Sequence, residues 1–524
     1  MGTAGATELL LAIDCGTQSV RALLFDLHGN LVGHGRETLD DYFSPQDRWL
    51  EHDAEAFWER AAAACRALWI ERGEERGRVR GIVVTSQRGT LVPVDRAGQA
   101  LRPFIVWLDQ RRASEPRRFP PWWRAIFAVA GVSDTVDYLT REAECNWIAE
   151  HEPQVWERTH KVLLLSGWLN YRLTGRFADS AASQVGYLPF DFRRHRWARA
   201  WDWQWHALPL RLEQLPDLVE VGDVIGPLQP AAAERIGLPA GLPVIAAAAD
   251  KACEILGAGA ISADVGALSY GTAATIDVTT ARYLEVTPFL PPYPAAVRGQ
   301  YNCEVQIFRG YWMVNWFKEQ FGHPESSAAA LEGIAPELLF ERLVDAVPPG
   351  SQGLLLQPYW SPGLRNPGPD ARGAIIGFSD VHTRAHLYRA ILEGLAYALR
   401  EGKERIERKT GAPVRQLRVS GGGSQSDSAM QLTADIFGLP AARPHTFETA
   451  GLGACMAGAI GLGLYRDAQS AVAGMTRQGR VFEPAPANEA LYDELYRKVY
   501  RRLYGRVGPL YKSLQRILNK DQAD

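Results

Sequence analysis

One strand–turn–strand pattern occurs twice in this sequence, and it constrains the fold more than any other feature. The first copy spans residues 8–26, where ELLLAID and VRALLFD flank the turn CGTQS, and the second is GALSYGTAATIDVTT at 266–280. Both copies place a Gly-Thr turn between apolar runs of strand length, which is typical of a β-hairpin. The recurrence about halfway along 524 residues predicts two domains of one design, each beginning with such a hairpin.

Helical and strand-like segments alternate along the rest of the chain. Residues 53–72 have helical spacing with Asp53 as the candidate N-cap, 81–87 read as an apolar strand, and LPVIAAAAD at 242–250 runs into a helix. This alternation predicts an α/β architecture. The predicted units are an N-terminal domain at 8–256, a C-terminal domain at 257–490 and a helical tail at 491–524.

The charge and cysteine content argue against several classes of function. The net charge of −3 gives no overall field that would attract nucleic acid or an anionic membrane. The six cysteines include no C-x-x-C pair, which is typical of a reducing compartment rather than of a disulfide framework. The N-terminus shows no signal-peptide pattern, and no apolar run is long enough to span a bilayer. We therefore expect a cytoplasmic protein with no nucleic-acid or membrane partner.

The first hairpin turn contains residues that suit a phosphate group. Gly16, Thr17 and Ser19 combine a backbone that a ligand can approach with hydroxyl groups, and Asp14 at the strand end could hold Mg²⁺ through water. A plain β-hairpin explains the same residues equally well. The second turn, Gly271-Thr272, is a weaker signal alone, but two such turns facing each other across a cleft would grip a phosphate chain.

Three consecutive glycines, Gly421 to Gly423, follow an apolar run and precede a helix that begins near Ser426 or Asp427. Backbone without side chains lets a flat ring lie close, and a helix N-terminus favours anions. A flexible turn followed by a helix cap is the alternative. No G-x-x-x-x-G-K-[ST] occurs, which excludes a P-loop. Glycine spacing at 451–464 hints at dinucleotide binding, but its Ala/Gly pattern favours close helix packing.

Polar residues after apolar segments are candidates for contact with a second substrate. Asp250 directly follows the apolar run 242–249, where a partly desolvated carboxylate could take a proton from a hydroxyl. Aspartate is equally favoured as the N-cap of the helix that follows, so both interpretations stay open. Gln87, Arg88 and Asp109 have the density of hydrogen-bonding groups that a polyhydroxylated ligand requires, although an ordinary surface loop would contain them too.

The motifs, taken in order, resemble one known family. DCGTQSVRALLFD, DRWLEHD, TSQRGTLVPVD, SGWLNYRLTG, the strand before Asp250, YGTAATI, and SGGGSQSDSAMQLTADIFGLP with ETAGLGACMAG follow the order found in FGGY carbohydrate kinases. The resemblance covers about residues 8–470. It implies two ribonuclease-H-like domains of the actin-like ATPase type flanking a catalytic cleft, with ATP mainly against the second domain and the sugar mainly against the first.

The resemblance also implies roles for individual residues. Asp250 matches the general base and Asp14 lies near Mg²⁺, while the sugar is expected at Gln87, Arg88, Asp109 and Asp250. The residues expected around ATP are Thr17, Gln18, Ser19, Arg21, Gly271, Thr272, Gly421, Gly422, Gly423 and Asp427. The expected activity is ATP-dependent phosphorylation of a hydroxyl on a small sugar or polyol, with assembly as a homodimer left open.

Two places depart from the family pattern. Ala249 and Lys251 flank Asp250, where family members usually have glycine before the aspartate and Asn or Gln after it. The stretch Gln87-Arg88-Gly89-Thr90 shares its arginine with glycerol kinases, but it lacks their following glutamate and the histidine of xylulokinases. The sugar is therefore not assigned. An actin- or chaperone-like nucleotide switch and a pseudokinase are the alternatives, and a switch would need no polar sugar pocket.

Overall fold

The chain forms two large β-sheets, which the computed structural model describes within residues 8–363 and 367–520. In chain order the strands are β1 Leu9–Cys15, β2 Ser19–Asp26, β3 Leu31–Thr38, β4 Glu51–His52, β5 Val79–Ser86, β6 Leu91–Val94, β7 Phe104–Ile105, β8 Lys161–Leu164, β9 Ala178–Ser180, β10 Phe190–Asp191, β11 Arg196–Trp197, β12 Asp217–Val219, β13 Val224–Pro227, β14 Pro243–Ala246, β15 Val265–Tyr270, β16 Ala274–Thr280, β17 Tyr293–Pro294, β18 Tyr301–Ile307, β19 Leu355–Gln357, β20 Ala374–Ile376, β21 Gln416–Ser420, β22 Ala441–Pro444 and β23 Gln478–Phe482. The helices are α1 Ala54–Arg72, α2 Pro121–Ala130, α3 Ser133–Glu142, α4 Glu144–His151, α5 Pro153–Arg158, α6 Leu165–Thr174, α7 Gln204–Ala207, α8 Pro230–Ile236, α9 Asp250–Gly257, α10 Trp312–Phe321, α11 His323–Glu332, α12 Pro336–Asp345, α13 Arg384–Thr410, α14 Asp427–Phe437, α15 Thr449–Gly461, α16 Ala468–Met475, α17 Pro486–Leu495 and α18 Arg501–Lys520.

The two sheets share one strand order around a central hairpin. The first follows the order β13-β14-β5-β1-β2-β3. The second, read from the edge that corresponds to β13, follows β23-β22-β21-β15-β16-β18-β17. The first lobe is built around β1, which pairs antiparallel with β2 and parallel with β5. The second lobe is built around β15, which pairs antiparallel with β16 and parallel with β21. The predicted α/β class and the recurrence of one hairpin design are confirmed.

Strand β1 shows why the chain opens with an unbroken apolar run. Leu9 and Leu11 face helices α1, α6 and α8 on one side of the sheet, whereas Leu10 faces α9 and α15 on the other. Because both faces are covered, the apolar–polar alternation of a half-exposed strand is absent. Asp53 caps α1 as predicted, because its carboxylate accepts the Ala56 N–H at 3.0 Å.

Helix α15 comes from the second half of the sequence but packs on the first sheet. Its Leu452 lies in one apolar cluster with Leu10 and Val83. The helix also crosses α9 at glycine positions, where a Cβ atom on Gly453 would lie 1.9 Å from the carbonyl oxygen of Cys253. The close helix packing inferred for this glycine-rich segment is confirmed.

The C-terminal segment packs on the second lobe. Tyr492, Tyr496 and Tyr500 are buried against Tyr397 of α13, and a π-helical turn at Tyr496–Tyr500 joins α17 to α18. The last four residues of the predicted tail lie outside the described residues, and the domain limits remain predictions. No helix in the described ranges combines the length and the apolar character that crossing a bilayer requires.

Candidate active site

Asp14 lies near the end of β1 and is almost fully buried. Its partner across the β1–β2 ladder is Arg21, whose Nη1 lies 4.0 Å from an Asp14 oxygen and donates to Glu448 Oε2 at 2.8 Å. Burial raises the pKa of Asp14 to about 7, and the charge of Arg21 opposes this rise. Asp250, Glu448 and Glu254 add to it, so the end of β1 is an acidic environment that would attract a cation.

Side chains from three other segments hold the turn of the first hairpin. The Thr17 hydroxyl donates to Gln87 Oε1 at 2.9 Å and accepts from Trp107 Nε1 at 2.9 Å, and the Tyr42 hydroxyl donates to the Thr17 carbonyl at 2.5 Å. Gln18 is exposed at the turn, and the neighbouring Ser19 is buried. Sequence reasoning missed Tyr42 and Trp107, although Trp107 lies only two residues before the predicted sugar residue Asp109.

Backbone contacts hold the turn of the second hairpin. The N–H groups of Tyr311 and Trp312 donate to the carbonyls of Gly271 and Thr272 at 3.2 and 3.3 Å. Thr272 is exposed, and a Cβ atom on Gly271 would meet nothing nearer than the Ala273 carbonyl at 3.5 Å. The surface of this turn is therefore open to a ligand.

The three consecutive glycines after β21 differ in what surrounds them. A Cβ atom on Gly421, whose φ is +82°, would lie 2.8 Å from the backbone of Tyr270, and one on Gly423 would lie 2.3 Å from the ring of Tyr311. A Cβ atom on Gly422 would meet no atom within 4 Å. Two of the glycines thus serve packing, and Gly422 faces open space.

Helix α14 begins at Asp427, within the predicted range. Ser426 is its N-cap and accepts the Ala429 N–H at 3.1 Å. The carboxylate of Asp427 accepts from Arg443 at 2.8 Å and from Arg480. Both oxygens of this predicted ATP-binding residue are therefore already paired within the chain.

Asp250 is the first residue of α9, and Ala249 occupies the N-cap position. The Oδ1 atom of Asp250 accepts the Lys251 N–H at 2.7 Å. Burial raises the pKa of Asp250, while the charges of Lys251 and Arg88 oppose the rise. The chain before it is fixed by Thr85 Oγ1, which donates to the Ala248 carbonyl at 2.9 Å. Asp250 is thus a fixed, half-buried carboxylate that does not serve as the helix cap.

The side-chain ammonium group of Lys251 pairs with Glu254 rather than with Asp250. Its Nζ donates to Glu254 Oε2 at 2.5 Å and to the hydroxyl of Ser269 on β15. Glu254 Oε1 in turn accepts from Ser420 Oγ of β21 at 2.6 Å. Helix α9 is therefore connected to the strands that precede Gly271 and Gly421. Sequence reasoning had no signal for Glu254, Ser269 or Ser420.

The predicted sugar residues have different surroundings. Gln87 is buried, and its Nε2 has no hydrogen-bond partner among the described residues. Arg88 Nη2 lies 3.1 Å from Glu304 Oε2, and its guanidinium stacks 4.7 Å from the centre of the Tyr293 ring. The carboxylate of Asp109 accepts from Arg111 and from the Leu50 N–H, which engages both of its oxygens. Gln87 and Arg88 are thus better placed for a ligand than Asp109.

A small cavity lies between the two lobes beside Arg88. The polar residues that line it are Arg88, Lys251, Asp277, Tyr293, Asn302 and Glu304. Asp277 and Glu304 are direct partners across the β16–β18 ladder. Sequence reasoning did not select these two, although a carboxylate within each apolar strand could have drawn attention to them.

Comparison with known proteins identifies relatives over nearly the whole chain. The N-terminal domain of the FGGY family of carbohydrate kinases matches residues 9–257, and the C-terminal domain of that family matches 266–462. A xylulose kinase of Lactococcus lactis subsp. lactis is 30% identical over 491 residues, which are 93% of this chain and 94% of the relative. A glycerol kinase of Dechloromonas aromatica is 30% identical over 496 residues, 92% of this chain and 94% of the relative. The crystal structure of a xylulose kinase from Rhodospirillum rubrum aligns with a TM-score of 0.81 at 27% identity, over 96% of this chain and 100% of the other.

Two lobes of one topology, each with a Gly-Thr turn, define the actin-like ATPase fold class. The chain belongs to the FGGY family of carbohydrate kinases. It is therefore an ATP-dependent kinase that acts on a hydroxyl of a sugar or polyol, and the predicted family, fold and enzyme class are confirmed.

Proposed function

We propose that Asp250 is the general base of this kinase and takes the proton from the substrate hydroxyl that receives the phosphoryl group. The observation that supports this role is a half-buried carboxylate with a raised pKa, fixed at the start of α9. Its Oδ1 is occupied by the Lys251 N–H, and no hydrogen bond from the described residues reaches Oδ2. A raised pKa brings the carboxylate nearer to the operating pH, where a general base is most effective.

The nucleotide is proposed to lie between the two turns and the glycine run. Gly271 and Thr272 would contact the phosphates from the second lobe, and Thr17, Gln18 and Ser19 from the first. The open surface at Gly422 would accept the adenosine, bordered by Gly421 and Gly423. ATP supplies the phosphoryl group. Arg21 and Asp427 keep their predicted places beside ATP, but both are paired within the chain and would act through those partners.

Mg²⁺ is the proposed metal, and Asp14 would hold it. No group of three or more His, Cys, Asp or Glu side chains within the described ranges could form a metal cage. Mg²⁺ bound to a nucleotide usually takes only one or two carboxylates and keeps several waters. The buried Asp14, in its acidic environment, fits that pattern. The ion would neutralise phosphate charge, while Asp14 would hold it at the end of β1.

The sugar is proposed to lie against Gln87 and Arg88 of the first lobe. The unpartnered Nε2 of Gln87 would donate to a sugar oxygen, which removes the cost of a buried donor without a partner. Asp109 would act indirectly through Arg111. Phosphoryl transfer then depends mainly on alignment and electrostatics, as in other kinases.

Three further predictions concern the whole chain. The proposed division is at residues 256/257 and 490/491, and the proposed location is the cytoplasm, where six free, buried cysteines would stay reduced. Assembly as a homodimer remains a prediction that light scattering in solution would test.

ADP release measured against a panel of C3 to C7 polyols and ketoses tests the proposed function. We expect at least one member to stimulate ADP release, with phosphate found on that sugar. ATP hydrolysis that no sugar stimulates would favour the nucleotide switch. Binding of a sugar without any ADP release, in calorimetry and the coupled assay together, would favour a pseudokinase.

A further inference from the structure

A cavity of about 240 Å³ lies where α9 ends, beside strands β21 and β22 of the second sheet. Helices α9 and α16 pack on the first sheet, so both lobes contribute to its wall, and we call it the junction cavity. In the described part of the chain, no residue proposed for ATP, Mg²⁺ or sugar lines it. The wall residues that matter for its chemistry are Gly257, Gly259, Arg418, Ala473, Thr476 and Arg477.

The size of the junction cavity suits a small ligand. A cavity needs only about 10–15 Å³ to hold one water molecule, and pockets for drug-sized ligands begin near about 300 Å³. At about 240 Å³, the junction cavity has room for a phosphate group together with a few carbon atoms.

Arg418 is a half-buried cation without a negative partner. Leu417 and Val419 on either side of it face the core of the second lobe, so strand alternation turns Arg418 to the opposite face of β21. Its one hydrogen bond to the described residues runs from Nη1 to the Leu417 carbonyl at 3.5 Å. Burial lowers the pKa of Arg418, and no carboxylate of the described chain opposes this. Because a buried charge is costly unless it is paired, the guanidinium favours an anion in the cavity.

Arg477 is the second cation in the wall, and it also lacks an ion pair with the described residues. Its Nη1 and Nη2 donate to two neutral acceptors, the His28 carbonyl at 2.7 Å and Asn30 Oδ1 at 2.6 Å. Asp26, which shares Asn30 with it, already accepts N–H groups of His28 and Asn30. No aspartate or glutamate of the described ranges lines the cavity. The wall therefore contains two positive charges and no negative one.

The alternative is that Arg418 only balances the ends of α9 and α16, because a helix C-terminus has about half a negative charge. The carbonyls at these ends are already in use. Those of Glu254 and Leu256 accept backbone N–H groups at 2.9 Å, and that of Val472 accepts from the backbone and hydroxyl of Thr476. Two full positive charges also exceed the charge of two helix ends, so the cavity remains attractive to an anion.

We propose that the junction cavity binds a phosphate group, either free phosphate or the phosphate of a small phosphomonoester, and that Arg418 is its main ligand. A guanidinium fits phosphate because its paired N–H donors match two phosphate oxygens. Arg477 adds charge from the other side of the junction. The site is separate from the proposed general base, because Asp250 begins α9 and the cavity lies where this helix ends. The proposal does not depend on the proposed function.

Calorimetry and thermal melts of the full chain test the site. A saturating non-hydrolysable ATP analogue with Mg²⁺ fills the nucleotide site, because phosphate would otherwise bind there. The probes are inorganic phosphate, glycerol 3-phosphate and ribose 5-phosphate at constant ionic strength. We expect at least one probe to bind and to raise the melting temperature, since a ligand that binds only the folded state stabilises it.

Variants of the wall assign that binding to the junction cavity. Arg418→Gln should raise the dissociation constant at least about tenfold, as expected for the loss of a charge-assisted hydrogen bond, and Arg418→Lys should lose less. Ala473→Glu places a negative charge at an exposed wall position and should abolish binding without removing Arg418. Arg415→Gln is the matched control, because this exposed arginine lies outside the cavity, and it should leave binding unchanged.

The outcomes identify the ligand or reject the site. Inorganic phosphate bound as tightly as the esters would identify free phosphate, and tighter binding of an ester would show that the cavity also holds its carbon chain. A probe bound at the sugar site would bind all the variants equally. Equal binding in Arg418→Gln and Ala473→Glu, or no binding of any probe at millimolar concentration, would overturn the proposal. Either result would leave the proposed kinase mechanism intact, because these variants do not alter its residues.

Discussion

The first and second lobes each contain a Gly-Thr turn, but different kinds of contact hold the two turns. In the first lobe the hydroxyl of Thr17 is held by the side chains of Gln87 and Trp107. In the second lobe the carbonyls of Gly271 and Thr272 accept backbone N–H groups. Contacts made by side chains depend on residue identity, whereas backbone contacts survive most substitutions. Equal topology therefore does not mean equal sensitivity to mutation.

The same contrast separates two aspartates that begin helices. Asp250 begins α9 next to the first lobe, and no hydrogen bond from the described residues reaches its Oδ2. Asp427 begins α14 in the second lobe and has both oxygens paired with arginines. The first arrangement leaves a carboxylate available for chemistry, and the second uses it to fix a helix start.

The largest expected effect comes from Asp250→Asn, with Asp427→Asn as the matched change in the second lobe. We expect Asp250→Asn to reduce kcat by about 10²–10⁴-fold, because a positioned base contributes that much, and to leave the melting temperature nearly unchanged. Asp427→Asn should raise KM for ATP with kcat within a few-fold. Steady-state kinetics and thermal melts of both variants measure the difference. Turnover of Asp250→Asn near that of the unchanged protein would refute its role as the base.

The glycine run tests whether the second lobe depends on close packing of the backbone. Gly423→Ala would place a methyl group 2.3 Å from the Tyr311 ring, so we expect a loss of about 1–3 kcal/mol in the free energy of unfolding. Gly422→Ala, in open space, should leave stability unchanged, and Gly422→Trp should weaken ATP binding. Urea unfolding and calorimetry separate these effects. Equal stability of the two alanine variants would contradict the packing role of Gly423.

The two turns themselves can be compared with one substitution. Thr17→Val leaves the buried side-chain oxygen of Gln87 and the half-buried N–H of Trp107 without their partner, so we expect it to lower the free energy of unfolding by about 1–2 kcal/mol. Thr272→Val changes an exposed side chain and should stay within about 0.5 kcal/mol. Chemical denaturation of both variants gives the two values. If they proved equal, side-chain contacts would not be what distinguishes the turns.

The smallest expected effect is a pair of opposite shifts in the pH dependence of kcat/KM. Asp250 must be deprotonated to act, so activity falls as the pH falls through its pKa. The charge of Lys251 lowers the pKa of Asp250, and the charge of Glu254 raises it. Arg88 also lowers this pKa, and Asp14 is a second carboxyl group close enough to interact with Asp250. Lys251→Met should therefore move the acid limb upward, and Glu254→Gln should move it downward, each by up to about one pH unit. Lys251→Arg keeps the charge and is the control. Shifts in the same direction would indicate a purely structural role for the pair.

Much of the local structure could be predicted because it depends on short-range pattern. The hairpins, the cap at Asp53 and the helix start near Ser426 all follow from residue spacing and turn chemistry. The ordered motifs also indicated the family. The residues proposed for chemistry lie at strand ends and turns, where the sequence pattern changes abruptly. The roles assigned to them remain predictions until the variants above are measured.

What the sequence by itself determined is the duplicated α/β design, because apolar runs buried on both faces and Gly-Thr turns act over a few residues. Only the tertiary structure decided which distant residues meet. Arg21 pairs with Glu448, Arg88 with Glu304, and Glu254 with Ser420, each across more than 160 positions of the chain. Helix α15 likewise covers the first sheet although it follows the second hairpin. Such contacts depend on how the two lobes pack together, and no local spacing in one sequence encodes that arrangement.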